Sequence, residues 1–164
     1  MNVTFGGTKV HLYGKQLNVG DLFPEFTVTD YNLKDVESKD LKGAKVFLTF
    51  PSVDTSPCSL ELLTFNDKLE EQKGIQVYGI SLDLPFAQKR WVELNAGDFI
   101  TMLSDHKYGK FGKVTGTYVE ELALLARASF VVDEDNQITY VEYVPEIGDQ
   151  PDYDQILEEA RKIT

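Results

Sequence analysis

A chain of 164 residues, 42% apolar and 12% aromatic, carries enough side chain to fill one hydrophobic core and is too apolar to remain disordered. Its 16 Lys and Arg against 27 Asp and Glu leave a net charge of -11, a field that repels phosphate backbones and anionic lipid and so excludes nucleic acid and membranes as expected partners. No segment approaches the ~20 apolar residues of a membrane span and Met1 to Gly7 lacks the basic and apolar regions of a secretion signal, so the expectation is a soluble, cytoplasmic, single domain over 1–164.

Alternation of apolar and polar residues on either side of Gly6-Gly7, from Val3 to Phe5 and from Lys9 to Tyr13, predicts a short β-hairpin. Phe26-Thr27-Val28-Thr29 reads as a short strand, and the run Lys45-Val46-Phe47-Leu48-Thr49-Phe50 as one buried in a sheet and ended by Pro51. Thr55 then offers a hydroxyl cap, and Pro57 suits a first helical position because it has no N–H to leave unpaired. A helix is therefore expected from about Pro57, with Leu62, Phe65 and Leu69 on one stripe and Lys73-Gly74 as its stop.

Beyond it, 75–82 predicts a strand, and Pro85 opens a helix through Lys89, Arg90 and Trp91 that closes near Asn95-Ala96-Gly97. A strand over 99–103, a hairpin of 127–132 and 138–144 across Asp135-Asn136, and an amphipathic helix over 152–163 complete the chain. The order describes an α/β protein of thioredoxin-like fold, a mixed central sheet flanked by helices and preceded by an N-terminal β-hairpin.

Chemistry concentrates at Cys58. It is the one cysteine, so no disulfide forms within the chain. His11 and His106 lie in unrelated segments without metal-ligand spacing, and neither a metal nor another cofactor is expected. A thiol reacts as its thiolate, which a helix N-terminus or a neighbouring cation stabilises. Cys58 falls in the first turn of a capped helix that follows a buried strand, the place where α/β folds present reactive loops. A small buried hydrophobe remains the plain alternative for a lone cysteine.

Pro51-Ser52-Val53-Asp54-Thr55-Ser56-Pro57-Cys58 resembles the Pro-x-x-x-Thr-x-x-Cys loop of the peroxiredoxins. Ser81-Leu82-Asp83-Leu84-Pro85-Phe86-Ala87-Gln88-Lys89-Arg90-Trp91 is similar to a segment of one subfamily, the bacterial thiol peroxidases, and Leu125-Ala126-Arg127-Ala128 to its arginine-bearing strand. The opening hairpin and the stretch from Glu146 to Tyr153 match as well, so the likeness spans essentially the whole chain. It implies a thiol-dependent peroxidase for hydrogen peroxide and alkyl hydroperoxides, acting in antioxidant defence. Cys58 would attack the O–O bond and become a sulfenic acid. Thr55 would hydrogen-bond the sulfur or the peroxide, Arg127 would keep the thiolate ionised and bind the peroxide, and Pro51 would limit water.

Taken singly, Thr55 reads as a helix cap, Arg127 as half of an ion pair and Pro51 as a strand terminator. Phe86 and Trp91 are expected to line an apolar approach to the thiolate together with Phe50 and Leu124, the last two reading better as core. A homodimer is implied by the same likeness. In one respect the chain departs from the subfamily: Val92 occupies the position of its resolving cysteine. Resolution is then expected from an external thiol such as thioredoxin or glutathione. The alternative is a peroxide sensor that relays oxidation to a partner thiol. A thioredoxin-type exchange enzyme is disfavoured, because Thr55 stands where its first cysteine would be.

Overall fold

The computed structural model describes residues 2–72, 74–95 and 99–164. Gly6 and Gly7, at φ 59° and 81°, adopt the left-handed conformation that a two-residue hairpin turn requires, and they join β1 (Val3–Phe5) to β2 (Thr8–Val10). The second strand is shorter than the alternation suggested, because the chain leaves the hairpin at His11 to lie beside Glu120 and Glu121. β3 (Thr27–Asp30) then pairs with β4 (Asp35–Glu37), an edge strand with no apolar pattern that the sequence reading lacks. The Asp30 carboxylate holds the intervening turn by accepting from the N–H groups of Asn32 and Lys34.

β5 (Lys45–Thr49) is buried along its whole length, as its continuous apolar run predicts, and leads into α1 (Ser56–Leu69). β6 (Gln76–Ser81), α2 (Pro85–Asn95) and β7 (Ile100–Ser104) follow. Helix α1 ends at Leu69, ahead of the expected stop; Lys73, and Ala96-Gly97 at the expected close of α2, lie outside the described residues. A short α3 (Lys110–Thr115) and the two-residue pair β8 (Tyr118–Val119) and β9 (Leu124–Leu125) were not foreseen. β10 (Ala128–Val132) and β11 (Ile138–Tyr143) form the expected hairpin, and α4 (Tyr153–Arg161) closes the chain.

Seven strands make one sheet in the order β11-β10-β5-β6-β7-β3-β4, with β5, β6 and β7 parallel and the outer pairings antiparallel. This is the thioredoxin-like mixed sheet, with helices on its faces. The period of two in β5 divides the core: Val46 and Leu48 meet Leu62, Phe65, Trp91 and Leu157 from α1, α2 and α4. Phe47 points the other way, into a cluster in which its ring stacks on Phe23 at 4.7 Å and on Tyr78 at 5.5 Å. Both faces of the central strands are therefore dry, and the parallel β5–α1–β6 unit fixes where α1 begins. No helix among the described residues is long and apolar enough to cross a membrane.

Phe47 is fully buried on the face opposite α1. Phe47→Ala is expected to cost about 3–5 kcal/mol in urea unfolding. A loss below about 1 kcal/mol would show that the aromatic cluster does not hold the sheet.

Candidate active site

The chain leaves β5 through Phe50 and Pro51, turns over residues 52–54 and enters α1 at Thr55, whose extended backbone (φ -94°, ψ 144°) is that of an N-cap. Thr55 Oγ1 accepts from the Cys58 N–H at 3.3 Å and donates to the Ser52 carbonyl at 3.2 Å. The capping role read from the sequence is thus present, and the hydroxyl proton is turned toward Ser52 rather than toward the sulfur. Cys58 lies in the first turn of α1 with 0% of its surface exposed, where the positive end of the helix dipole favours an anion.

Arg127 comes from the residue before β10 and is itself only 1% exposed. Its guanidinium makes a fork: Nη2 donates to Cys58 Sγ at 3.3 Å, Nε donates to the Ile147 carbonyl at 2.8 Å, and Nη1 pairs with the carboxylate of Glu61. Glu61 is one helical turn beyond Cys58 and is 0% exposed. Burial pushes its carboxyl up to about 7, against the opposing pull of Arg127 and with a small push from Glu142. Burial works against the charge on Arg127 too, yet the facing Glu61 and Cys58 outweigh it and raise its pKa. The second Glu61 oxygen, Oε1, has no hydrogen-bond partner among the described residues.

A cleft of about 360 Å³ opens onto the sulfur. Pro51, Thr55, Pro57 and Arg127 form one side, and Phe5, Gly6 and the turn 146–149 form the other. Glu146 ties this second side together: its carboxylate accepts from the N–H groups of Gly7 at 2.7 Å, Gly148 at 2.8 Å and Gly6 at 3.2 Å, and from the Thr4 hydroxyl. The Gly148 and Gly7 donors hold its carboxyl below the usual carboxylate range. Gln150 adds a bond from its amide to the Pro57 carbonyl at 2.9 Å, joining the turn to the start of α1.

Cys58, Thr55, Arg127 and Pro51 therefore converge from separate segments, whereas the residues expected to line the apolar approach do not. Along α2 the inward stripe is Pro85, Gln88 and Trp91, which leaves Phe86 out of phase and 65% exposed, away from the cleft. Trp91 is 6% exposed and lies beneath α1, its indole N–H donating to Ser59 Oγ at 3.0 Å. Phe50 is core and Leu124 belongs to β9, so the apolar wall is made instead by Phe5, Ile147 and the prolines. Val92 packs against the core cluster under α1.

Glu61 escaped the sequence reading although a signal was there, since it shares the buried stripe with Cys58, Leu62, Phe65 and Leu69. A carboxylate in such a stripe calls for a buried cation. Because its pKa is raised from 4.5 to about 7, the folded protein holds a proton there that the unfolded chain has released, and stability falls as pH rises through that window. Glu61→Gln is expected to abolish this part of the slope in melting temperatures measured from pH 5 to pH 8. Identical slopes in the two proteins would contradict it.

The redoxin family model matches residues 18–157. The chain is 47% identical over 161 residues to the thiol peroxidase of Clostridium acetobutylicum, covering 98% of each, and 45% identical over 162 residues to that of Oceanobacillus iheyensis, covering 98% of this chain and 99% of the other. Among solved structures, a peroxiredoxin-like protein from Aquifex aeolicus superposes with a TM-score of 0.91 at 33% identity, over 99% of this chain and 97% of that one. With the family model spanning most of its length, and such identity over nearly all of it, the chain belongs to the redoxin family, in its thiol peroxidase branch.

Proposed function

We propose that the protein reduces hydrogen peroxide and alkyl hydroperoxides through Cys58 and is returned to its thiol form by an external thiol. The single observation that carries this reading is the Arg127 Nη2 donor 3.3 Å from Cys58 Sγ at the capped start of α1. The thiolate attacks one peroxide oxygen. An S–O bond forms, the O–O bond breaks, and the departing alkoxide or hydroxide takes up a proton to leave as alcohol or water. Cys58 becomes the sulfenic acid. Arg127 Nη2 donates to the sulfur, and the field of this buried, poorly screened guanidinium would stabilise the charge that develops on the departing oxygen. Pro51 and Pro57 shield the cleft from water, and Thr55 is free to turn its hydroxyl toward a bound peroxide.

Val92 offers no sulfur for an internal disulfide, and Cys58 is the single free cysteine. A first external thiol attacks the sulfenate, releasing water and forming a mixed disulfide, and a second thiol releases Cys58 and leaves as the oxidised disulfide. Thioredoxin and low-molecular-weight thiols are the proposed reductants. A cytoplasmic homodimer completes the proposal, with the exposed Leu84 and Phe86 at the head of α2 as the surface such a pairing would cover.

Peroxide consumption by wild type and Cys58→Ser, each assayed with thioredoxin, glutathione and dithiothreitol, tests the scheme. Turnover with at least one reductant, lost by at least about 1,000-fold in the variant, is expected. Equal rates would remove Cys58 from the reaction. One equivalent of peroxide consumed with no turnover in any reductant would favour the relay reading instead.

A further inference from the structure

The proposed cycle makes opposed demands on Cys58: a fixed sulfur at the floor of the cleft for the small peroxide, and a more open one for the bulkier reducing thiol, since the side chain is buried to 0% exposure. Loop 51–55 carries the chain into the turn that holds Cys58, and a carboxylate outside the cleft bonds to it. Asp83 follows β6, and its Oδ1 accepts from Ser52 Oγ at 2.7 Å while Oδ2 accepts from the Val53 N–H at 2.9 Å and from Ser81 Oγ at 2.6 Å.

From Ser52 the bonds run straight to the reactive cysteine. The Ser52 carbonyl accepts from the Thr55 N–H and from Thr55 Oγ1, each at 3.2 Å, and Thr55 Oγ1 accepts from the Cys58 N–H. Asp83 itself stands on a rigid base. Ser104 Oγ donates to its carbonyl, and Gln88, fully buried, donates to Ser81 Oγ at 3.1 Å and to the Leu103 carbonyl at 2.8 Å. Arg90 of α2 also reaches the loop, pairing with Asp54 at 2.8 Å, but this joins two well-exposed side chains and is screened by solvent.

We infer that Asp83 is a positioning residue, a latch whose hydrogen bonds to Ser52 and Val53 hold the loop in its peroxide-reactive form and whose release lets the first turn of α1 open to the reducing thiol. The inference rests on the reading of Cys58 as the peroxide-reacting thiol. It assigns the aspartate of the Ser81-Leu82-Asp83-Leu84-Pro85 segment a part in the rates of both half-reactions although it touches neither the sulfur nor the cleft.

The test separates the half-reactions in Asp83→Ala and, as a milder lesion that keeps the β6–α2 turn intact, in Ser52→Ala. Fluorescence of Trp91, the one tryptophan and a partner of Ser59 beside Cys58, follows oxidation by hydrogen peroxide and then recovery with dithiothreitol. In both variants the peroxide step is expected to slow by about 10-fold and the recovery step to quicken by about 3-fold or more. A residue that only stabilised the fold would not push the two rates in opposite directions. Two rates within twofold of wild type, or both falling together, overturn the latch. A wild-type protein that reacts with no peroxide overturns the proposed function instead.

Discussion

A guanidinium buried to 1% exposure must be matched by anions or it destabilises the fold, and the arrangement around Arg127 follows from that requirement. Glu61 supplies one partner and the Ile147 carbonyl another, and an Nη2 N–H group meets Cys58 Sγ. Burial pushes the Glu61 carboxyl up against the opposing pull of Arg127, and the sulfur takes another N–H of the same cation. The interaction that holds helix α1 to the residue before β10 is thus the same one that faces the thiol.

The sheet explains how these groups meet. β5 is dry on both faces and cannot shift register without carrying its apolar residues to the wrong side, so the start of α1 is fixed with respect to the sheet. β10 pairs antiparallel with β5, with Ala128 opposite Thr49, which brings Arg127 beside the loop that leaves β5. The Thr49 hydroxyl donates to the Ala126 carbonyl at 2.7 Å and ties the two strand ends further. The N-terminal hairpin, latched by Glu146, supplies the far wall of the cleft, and its Phe5 contributes apolar surface beside the sulfur.

What could be read from the sequence was whatever is encoded locally. Thr55, Pro57 and the apolar run of β5 specify a strand, a loop and a capped helix within a few residues, and Cys58 fell where those signals put it. The Gly6-Gly7 turn and the β10–β11 hairpin were legible for the same reason. Elements that depend on distant partners were not. Helix α3 has Gly109 at its N-cap, which has no side chain to cap it; two N–H groups of its first turn, those of Phe111 and Gly112, are taken instead by the buried carboxylate of Asp105. β4 is held by its turn and by β3, and β8 and β9 form one two-residue pairing with each other. Residue type alone points Phe86 and Trp91 at the cleft, whereas the phase of α2 leaves Phe86 exposed and puts Trp91 under α1, and the phase of α1 aligns Glu61 with Cys58.

The central claim is that the Arg127 guanidinium, shared between Glu61 and Cys58, makes the sulfur reactive toward peroxide. Its most direct measurement is the second-order rate constant for hydrogen peroxide with the double variant Arg127→Met and Glu61→Gln, which removes the cation without stranding its buried carboxylate. The account predicts a rate lower by about 100-fold, with circular dichroism unchanged. A rate within about threefold of wild type, in a protein folded as before, would contradict it.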